Sequence, residues 1–201
     1  MRVDKVILRA ALSTLAAIAA LFAILMLALC FIFPATMMQI TYDLGMDSAS
    51  IHYANRAYAY TGEVYYVAFA TETAIGTANY ASVETCGEAF IADDEFNAYC
   101  QQRNAEIESK GGYEQYVYGQ VCVAKYRLGQ KTEAIEKAFV LVGEAFPENN
   151  AIAAVLLTAL SNSDSETANA VLEKMNEMDT SAFSDTDKEY YEAIRGLLQN
   201  G

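Results

Sequence analysis

The sequence predicts an all-α protein in which one membrane-spanning helix precedes a stack of helical hairpins. Residues 10–33 contain just two polar side chains, Ser13 and Thr14. After them alanine is frequent, runs of β-branched residues are scarce and proline occurs twice, at Pro34 and Pro147, which favours helices over strands. Glycines and short polar clusters divide this part into segments of about 10 to 16 residues, a usual length for packed helices.

The apolar segment at residues 10–33 is long enough to cross a bilayer as a helix. At about 1.5 Å rise per residue its 24 residues reach roughly 36 Å, against about 30 Å for the hydrocarbon core. Three basic residues lie within residues 1–9, whereas the first basic residue after the segment is Arg56. Because basic flanks stay inside, we expect a short cytoplasmic tail at residues 1–9 and an extracytoplasmic domain at residues 34–201, at the cell membrane.

Two alternatives to an uncleaved signal anchor stay open. A cleaved signal peptide has a shorter apolar region of about 7 to 15 residues and a small-x-small cleavage site, and the sequence Phe-Pro-Ala-Thr at residues 33–36 fits such a site poorly. Residues 27–30, Leu-Ala-Leu-Cys, resemble a bacterial lipobox, but Leu29 occupies the position of a small residue. The uncleaved anchor is therefore the preferred hypothesis.

The later helices follow from glycine, proline and capping residues. Pro34 fits the first turn of a helix, and Gly45 and Gly62 are suited to ending one. Ser163 and Glu166 have the spacing of a capping box at a helix start. The predicted helices cover residues 35–44, 48–60, 63–75, 79–91, 95–109, 114–128, 133–146, 151–160, 166–178 and 187–199.

The turns between these helices recur with the period of a two-helix repeat. Predicted turns at Gly62, residues 95–96, Gly129 and Ser163 are separated by about 34, 33 and 34 residues. Residues 118–150 resemble the tetratricopeptide repeat in having a Leu-Gly turn, small residues where two helices touch, and a proline at the start of the next unit. The matching residues are Tyr126, Leu128, Gly129, Ala134, Ala138 and Pro147.

The resemblance implies a right-handed α-solenoid of helical hairpins that binds a protein or peptide along a concave face. A second match begins at Leu44 and Gly45, but the interval from Gly45 to Gly129 is not a whole number of such repeats. Either the register changes within the array, at the polar helix of residues 95–109, or one of the matches is a coincidence.

The predicted domain is strongly acidic. The chain has 13 basic and 26 acidic residues, of which three basic residues and one acidic residue lie within residues 1–9. The remaining 10 basic and 25 acidic residues give residues 10–201 a net charge of −15. Such a surface repels nucleic acid and attracts basic segments, so we expect a protein or peptide partner, of basic character where charge contributes, and no nucleic acid.

Cysteine and histidine give little support for catalysis. Cys86 and Cys100 each lie seven residues from Asp93, so a hairpin turning there could bring them together as a disulfide, or they are two small core residues. His52, the sole histidine, lies in a helix with a packing pattern, and the acidic segment at residues 185–189 lacks the glycine of a calcium loop. We therefore expect no enzyme: no catalytic residue, no cofactor and no metal.

Tyrosine is abundant, with 14 residues and no tryptophan, and it offers apolar area with a polar tip at binding surfaces. Adjacent tyrosines cannot both face one side of a helix, so some are exposed. The predicted binding-surface aromatics are Tyr58, Tyr65, Tyr66 and Tyr118.

The sequence thus predicts a single-pass membrane-anchored scaffold or adaptor that binds another protein outside the cytoplasm. The alternative is a membrane-tethered sensor or ectodomain that binds a small ligand.

Overall fold

The computed structural model describes residues 2–107, 112–143 and 145–197, and all the regular secondary structure in this part of the chain is helical. The all-α prediction is confirmed there; the predicted helix ends at residues 108–109 and 198–199 lie outside the described residues. The eleven described helices are α1 (Arg2–Ile32), α2 (Pro34–Asp43), α3 (Asp47–Thr61), α4 (Val64–Gly76), α5 (Tyr80–Ile91), α6 (Phe96–Ile107), α7 (Tyr113–Arg127), α8 (Lys131–Val142), α9 (Ala151–Ser161), α10 (Ser165–Asn176) and α11 (Asp185–Gly196).

Helix α1 contains the predicted apolar segment. Its stretch Leu8–Leu29 is long and apolar enough to cross a membrane, and none of it is buried against the protein. The hydroxyl groups of Ser13 and Thr14 both donate to the carbonyl oxygen of Ala10 at 2.9 Å, so these polar groups are satisfied within the helix. The apolar helix is confirmed, whereas its insertion and orientation stay predictions.

The chain divides into two compact units, Met1–Gly62 and Glu63–Gly201. In the first unit α2 packs against α3, burying Met37 and Met38 of α2 with Ile51 of α3. The second unit holds α4 to α11, and within it α7 packs against α5, α8 and α9. Helix α7 is therefore buried on several sides and lies at the centre of this unit.

Four hairpins share one type of tight turn. Each turn has its middle residue in the left-handed region, at Gly45, Ala78, Gly129 and Ser163, with φ between 52° and 83°. The N–H of that residue bonds the carbonyl three residues earlier, and the next N–H bonds the carbonyl five residues before it, which is the Schellman arrangement. The same turn thus joins α2 to α3, α4 to α5, α7 to α8, and α9 to α10.

The positions of these turns differ in part from the turns predicted at the repeat period. The intervals from Gly45 to Ala78 and from Gly129 to Ser163 have the repeat period, whereas the interval from Ala78 to Gly129 is much longer. Gly62 ends α3 with a single bond to the Tyr58 carbonyl, and residues 95–96 begin α6, so neither belongs to a hairpin turn of this kind.

The earlier of the two sequence matches has the same backbone turn as the later one. Gly45, whose distance from Gly129 left its match in doubt, adopts the same Schellman turn as Gly129. The long interval between Ala78 and Gly129 contains α6, the polar helix at which one of the two alternatives places a change of register.

Two predicted boundaries are corrected by the same kind of backbone geometry. Helix α8 ends at Val142 rather than at residue 146, because Gly143 adopts φ +62° and turns the chain away. Phe146 is still fully buried and packs edge-to-face on Tyr191, with ring centroids 5.4 Å apart. Ser163 lies in the left-handed turn, so the residue that caps α10 is Asp164, whose side chain accepts from the Thr167 N–H.

Candidate functional site

The candidate site is a groove between α7 and α9, the first helices of two successive hairpins. These helices come close together because α7 has a glycine at Gly119: a Cβ there would lie 3.1 Å from the Cβ of Ala154. Above this contact a cavity of about 360 Å³ opens to the surface. We call it the α7–α9 groove; it is lined by Gly112, Gln115, Tyr116, Gly119, Gln120, Asn149, Ala153, Ala154 and Leu157.

Amide and apolar side chains make up the lining of the α7–α9 groove. Its amide side chains are Gln115, Gln120 and Asn149, and none of the lining residues is charged. Within the described part of the chain, the Gln115 Oε1 atom is buried and has no hydrogen-bond partner. An amide group can both donate and accept, so this lining suits the N–H and C=O groups of a peptide backbone.

A second feature, the tyrosine array, connects α4 with the edge of the groove. It consists of Tyr65, Tyr99, Tyr113 and Tyr116. Ring centroids are 6.3 Å apart for Tyr99 and Tyr113, and 6.2 Å for Tyr113 and Tyr116. Tyr65 and Tyr99 line a smaller cavity of about 210 Å³. The two ends of the array are open to solvent, since Tyr65 is 47% and Tyr116 45% exposed.

Glu72 and Arg103 fix the middle of the array. The Tyr113 hydroxyl donates to Glu72 Oε1 at 2.7 Å, and the Arg103 guanidinium lies 3.4 Å from the same oxygen. Burial, followed by the charge of Glu72, raises the pKa of Tyr99 to about 12, and burial with the hydrogen bond to Glu72 raises the pKa of Tyr113 further. These two phenols therefore stay protonated near neutral pH, and the array presents neutral hydroxyl groups.

The predicted binding-surface tyrosines have different environments. Tyr65 is exposed and belongs to the array, and the partly buried Tyr66 meets it edge-to-face at 5.4 Å. Tyr118 packs inward, stacked on Phe96 at 5.6 Å and bonded through its hydroxyl to Glu114. Tyr58 is partly buried on α3, in the first unit. The structure thus brings Tyr65 and Tyr66 together but turns Tyr118 away from the groove.

Sequence reasoning missed Tyr116 and the amide residues beside it. A signal was present, because Gly112, residues 115–116 and residues 119–120 recur at spacings of three and four and so fall on one helical stripe. Amide, glycine and tyrosine side chains on one stripe differ from the apolar stripe of a packing face. The pattern that predicted Tyr118 could not choose between the two sides of a helix that packs against several others.

The remaining candidates lie away from the groove. Cys86 and Cys100 are buried on α5 and α6, and the Cys100 thiol is free; the two alternatives, small core residues or a disulfide in the oxidised protein, stay open. Burial raises the pKa of the Cys100 and Cys122 thiols to about 12. His52 is exposed and contacts the Tyr53 ring. Across the described residues, no three His, Cys, Asp or Glu side chains are grouped as a metal site.

Comparison of the chain with protein-family models, with curated proteins and with solved structures found no match. The structure itself defines the class of protein. Over its described residues the protein is all-helical, and one N-terminal helix is long and apolar enough to span a membrane. The resemblance to the tetratricopeptide repeat stays an expectation that rests on the residues quoted for it.

Proposed function

We propose that this protein is a membrane-anchored helical-repeat scaffold that binds a segment of another protein in the α7–α9 groove. The observation that carries the proposal is the lining of the groove, where amide side chains and exposed apolar groups lie side by side along two helices. Apolar contacts would supply affinity, and the amide groups would pair with the backbone of the bound segment.

The repeat architecture is proposed from the recurring turn. Four hairpins have the same Schellman turn, and they form two pairs within which the turns are separated by the repeat period. Within the second unit this pattern supports a tetratricopeptide-like array in which α6 is an insertion. Helix α7 contacts the second helix of the preceding hairpin and the first helix of the next one, as stacked hairpins do. These contacts support a solenoid of stacked hairpins within the second unit, and the resemblance to the tetratricopeptide repeat implies that it is right-handed.

The location is proposed from α1 and its flanks. The apolar length of Leu8–Leu29 supports a spanning helix, and the basic residues before it support a cytoplasmic N-terminus. The domain would then lie outside the cytoplasm at the cell membrane. Its net charge of −15 favours a basic partner, because opposite charge speeds the encounter even when the groove itself is neutral.

Site-specific photocrosslinking in intact membranes tests the proposal. A photoreactive phenylalanine analogue replaces Leu157, an exposed apolar residue in the groove, or Val140, an exposed apolar residue of α8 outside it. We expect a protein adduct from position 157 that is absent from position 140, and mass spectrometry of the adduct identifies the partner. Tyr116→Ala should weaken the adduct at position 157.

Two outcomes would contradict this function. Equal adducts from positions 140 and 157 would mean that the groove has no special role. A groove that gives no protein adduct, in a protein that is stabilised against heat by small polar molecules, would favour the alternative of a ligand-binding ectodomain.

A further inference from the structure

The segment that follows α1 has several large apolar side chains exposed to solvent. Five residues between positions 33 and 46 are exposed, with exposed fractions between 38% and 68%; they are Phe33, Ile40, Tyr42, Leu44 and Met46. Helix α2 buries a separate face, which includes Met37 and Met38, against α3. The exposed side chains are thus not part of the hairpin core.

Two stripes of different polarity divide the exposed surface of α2. Ile40 lies within α2, and Phe33 and Leu44 are the residues that flank its two ends; spacings of seven and four residues put the three near one line along the helix. Gln39 and Asp43 form the neighbouring line, where the Gln39 amide donates to Asp43 Oδ1 at 2.8 Å. Helix α2 therefore has a core face, an apolar edge and a polar edge, and the apolar edge lacks a covering element among the described residues of its unit.

The join between α1 and α2 is a single residue. Helix α1 ends at Ile32 and α2 begins at Pro34, with Phe33 between them in a non-helical conformation, φ −124° and ψ 62°. Pro34 has no N–H to continue the ladder of α1, and a proline with such a neighbour redirects the helix axis. Helix α2 thus starts, in a new direction, at the very end of the apolar helix.

A contact from α3 ties the hairpin to the same point. The guanidinium carbon of Arg56 lies 4.9 Å from the centroid of the Phe31 ring, in the last turn of α1. The hairpin of α2 and α3 is consequently held beside the end of α1 by a covalent join and by a side-chain contact.

From these observations we propose that the apolar edge of α2, with Phe33, Ile40 and Leu44, lies in the interfacial layer of the bilayer that α1 spans. The occupant of this surface is lipid, at the boundary between headgroups and acyl chains. This inference rests on the membrane-spanning role proposed for α1, and it adds an orientation, with α2 along the membrane surface and its Gln39 and Asp43 edge toward water.

The size of α2 makes this orientation testable. Ten residues at about 1.5 Å each extend roughly 15 Å, whereas the polar layer on each side of the hydrocarbon core is only about 5 to 8 Å thick. If α2 stood upright, Leu44 would lie in water beyond the headgroups. If α2 lies flat, Leu44 remains at the depth of Phe33.

Single-tryptophan fluorescence distinguishes the two orientations, because the natural chain has no tryptophan. Leu44→Trp is made in the full chain, at a site exposed enough to accept the larger ring, and the protein is reconstituted in phosphatidylcholine vesicles. We expect lipids brominated on their acyl chains to remove most of the emission, and iodide in the buffer to remove little of it. Gln39→Trp, on the polar edge of the same helix, should respond in the opposite way.

Leu21→Trp, in the middle of α1, reports insertion itself. If brominated lipid quenches Leu21→Trp while iodide quenches Leu44→Trp, the interfacial inference is overturned and the spanning helix stands. If Leu44→Trp resists both quenchers, protein rather than lipid covers the edge, which also overturns it. If Leu21→Trp is open to iodide, the spanning helix fails and the inference fails with it.

Discussion

Lys125 is a lysine inside the protein, and carboxylates from neighbouring helices surround its ammonium group. Its side chain is 8% exposed, and its Nζ lies 2.8 Å from Glu84, 3.0 Å from Glu88 and 3.8 Å from Glu133. Burial alone would lower the lysine pKa, but the bonds to Glu84 and Glu88 outweigh it and raise the pKa. The lysine thus stays charged and holds α7 to α5 and α8.

Lys125→Met should lower the free energy of unfolding by about 2 kcal/mol, less than a fully buried pair would cost because two of the carboxylates reach solvent. Urea titration of the protein in detergent micelles measures the change. Lys137→Met is the matched control, since Lys137 is more exposed and lies 3.8 Å from Glu88. An equal loss in the two variants would contradict a special role for Lys125.

Asp164 combines a helix cap with an ion pair. Its side chain accepts from the Thr167 N–H at the start of α10, and Lys131 Nζ lies 2.8 Å from Oδ2. The bond to Lys131, with the hydroxyl of Thr167, holds the Asp164 pKa well below its usual range. The folded protein therefore binds fewer protons at this site than the unfolded chain in acid.

The stabilisation from Asp164 should be complete above the unfolded pKa of about 4 and fade as the pH falls below it. Asp164→Asn keeps an acceptor for the cap but removes the charge, so the stability of this variant should depend less on pH in that range. Asp164→Ala also removes the cap and should cost about 1 kcal/mol more. Thermal unfolding from pH 2 to pH 7 tests both; identical pH profiles in wild type and Asp164→Asn would refute the linkage.

At the scale of helices, the packing of α5 on α7 depends on a glycine. A Cβ at Gly87 would lie 2.4 Å from a methyl carbon of Val121, which is fully buried and has little room to move. Gly87→Ala should therefore destabilise the protein by about 1 to 3 kcal/mol despite its better helix propensity.

Gly76→Ala provides the control for that measurement, since a Cβ at Gly76 meets nothing within 4 Å. This variant should be neutral or more stable by up to about 1 kcal/mol. Urea midpoints of the two variants give the comparison. A Gly87→Ala protein as stable as Gly76→Ala would show that the two helices pack less closely than described.

Helix positions were predictable because local chemistry determines them. Pro34 opens α2, Gly62 ends α3 and Asn79 caps α5, each through an interaction with its own neighbours in sequence. One boundary error fell where a residue had two local options. Ser163 can cap a helix or occupy the left-handed turn. In the structure it occupies the turn, and Asp164 caps α10.

The groove could not be predicted in the same way, because it depends on which face of α7 meets α9. Tyr116 and Tyr118 are two residues apart and point to different sides of the helix. The contacts of Tyr118 with Phe96 and the close approach at Gly119 decide which one reaches solvent. The spacing of residues in the sequence shows which side chains share one stripe of α7, but it does not show which helix packs against that stripe.

At the scale of the whole molecule, sidedness is the prediction with the clearest test. Val140→Cys introduces a thiol at a side chain that is 75% exposed, whereas Cys86, Cys100 and Cys122 are buried. A membrane-impermeant maleimide should label Val140→Cys in intact cells, and Val3→Cys only after lysis. The reverse pattern would put the helical domain in the cytoplasm.

The single-residue join at Phe33 has a mechanical consequence. With no linker between α1 and the hairpin beside it, a twist of α1 about its long axis is carried into α2. Two copies whose α1 helices meet along a given stripe would therefore present their hairpins at a fixed rotation about that axis. Changing the rotational phase of α1 would change which hairpin surfaces face each other.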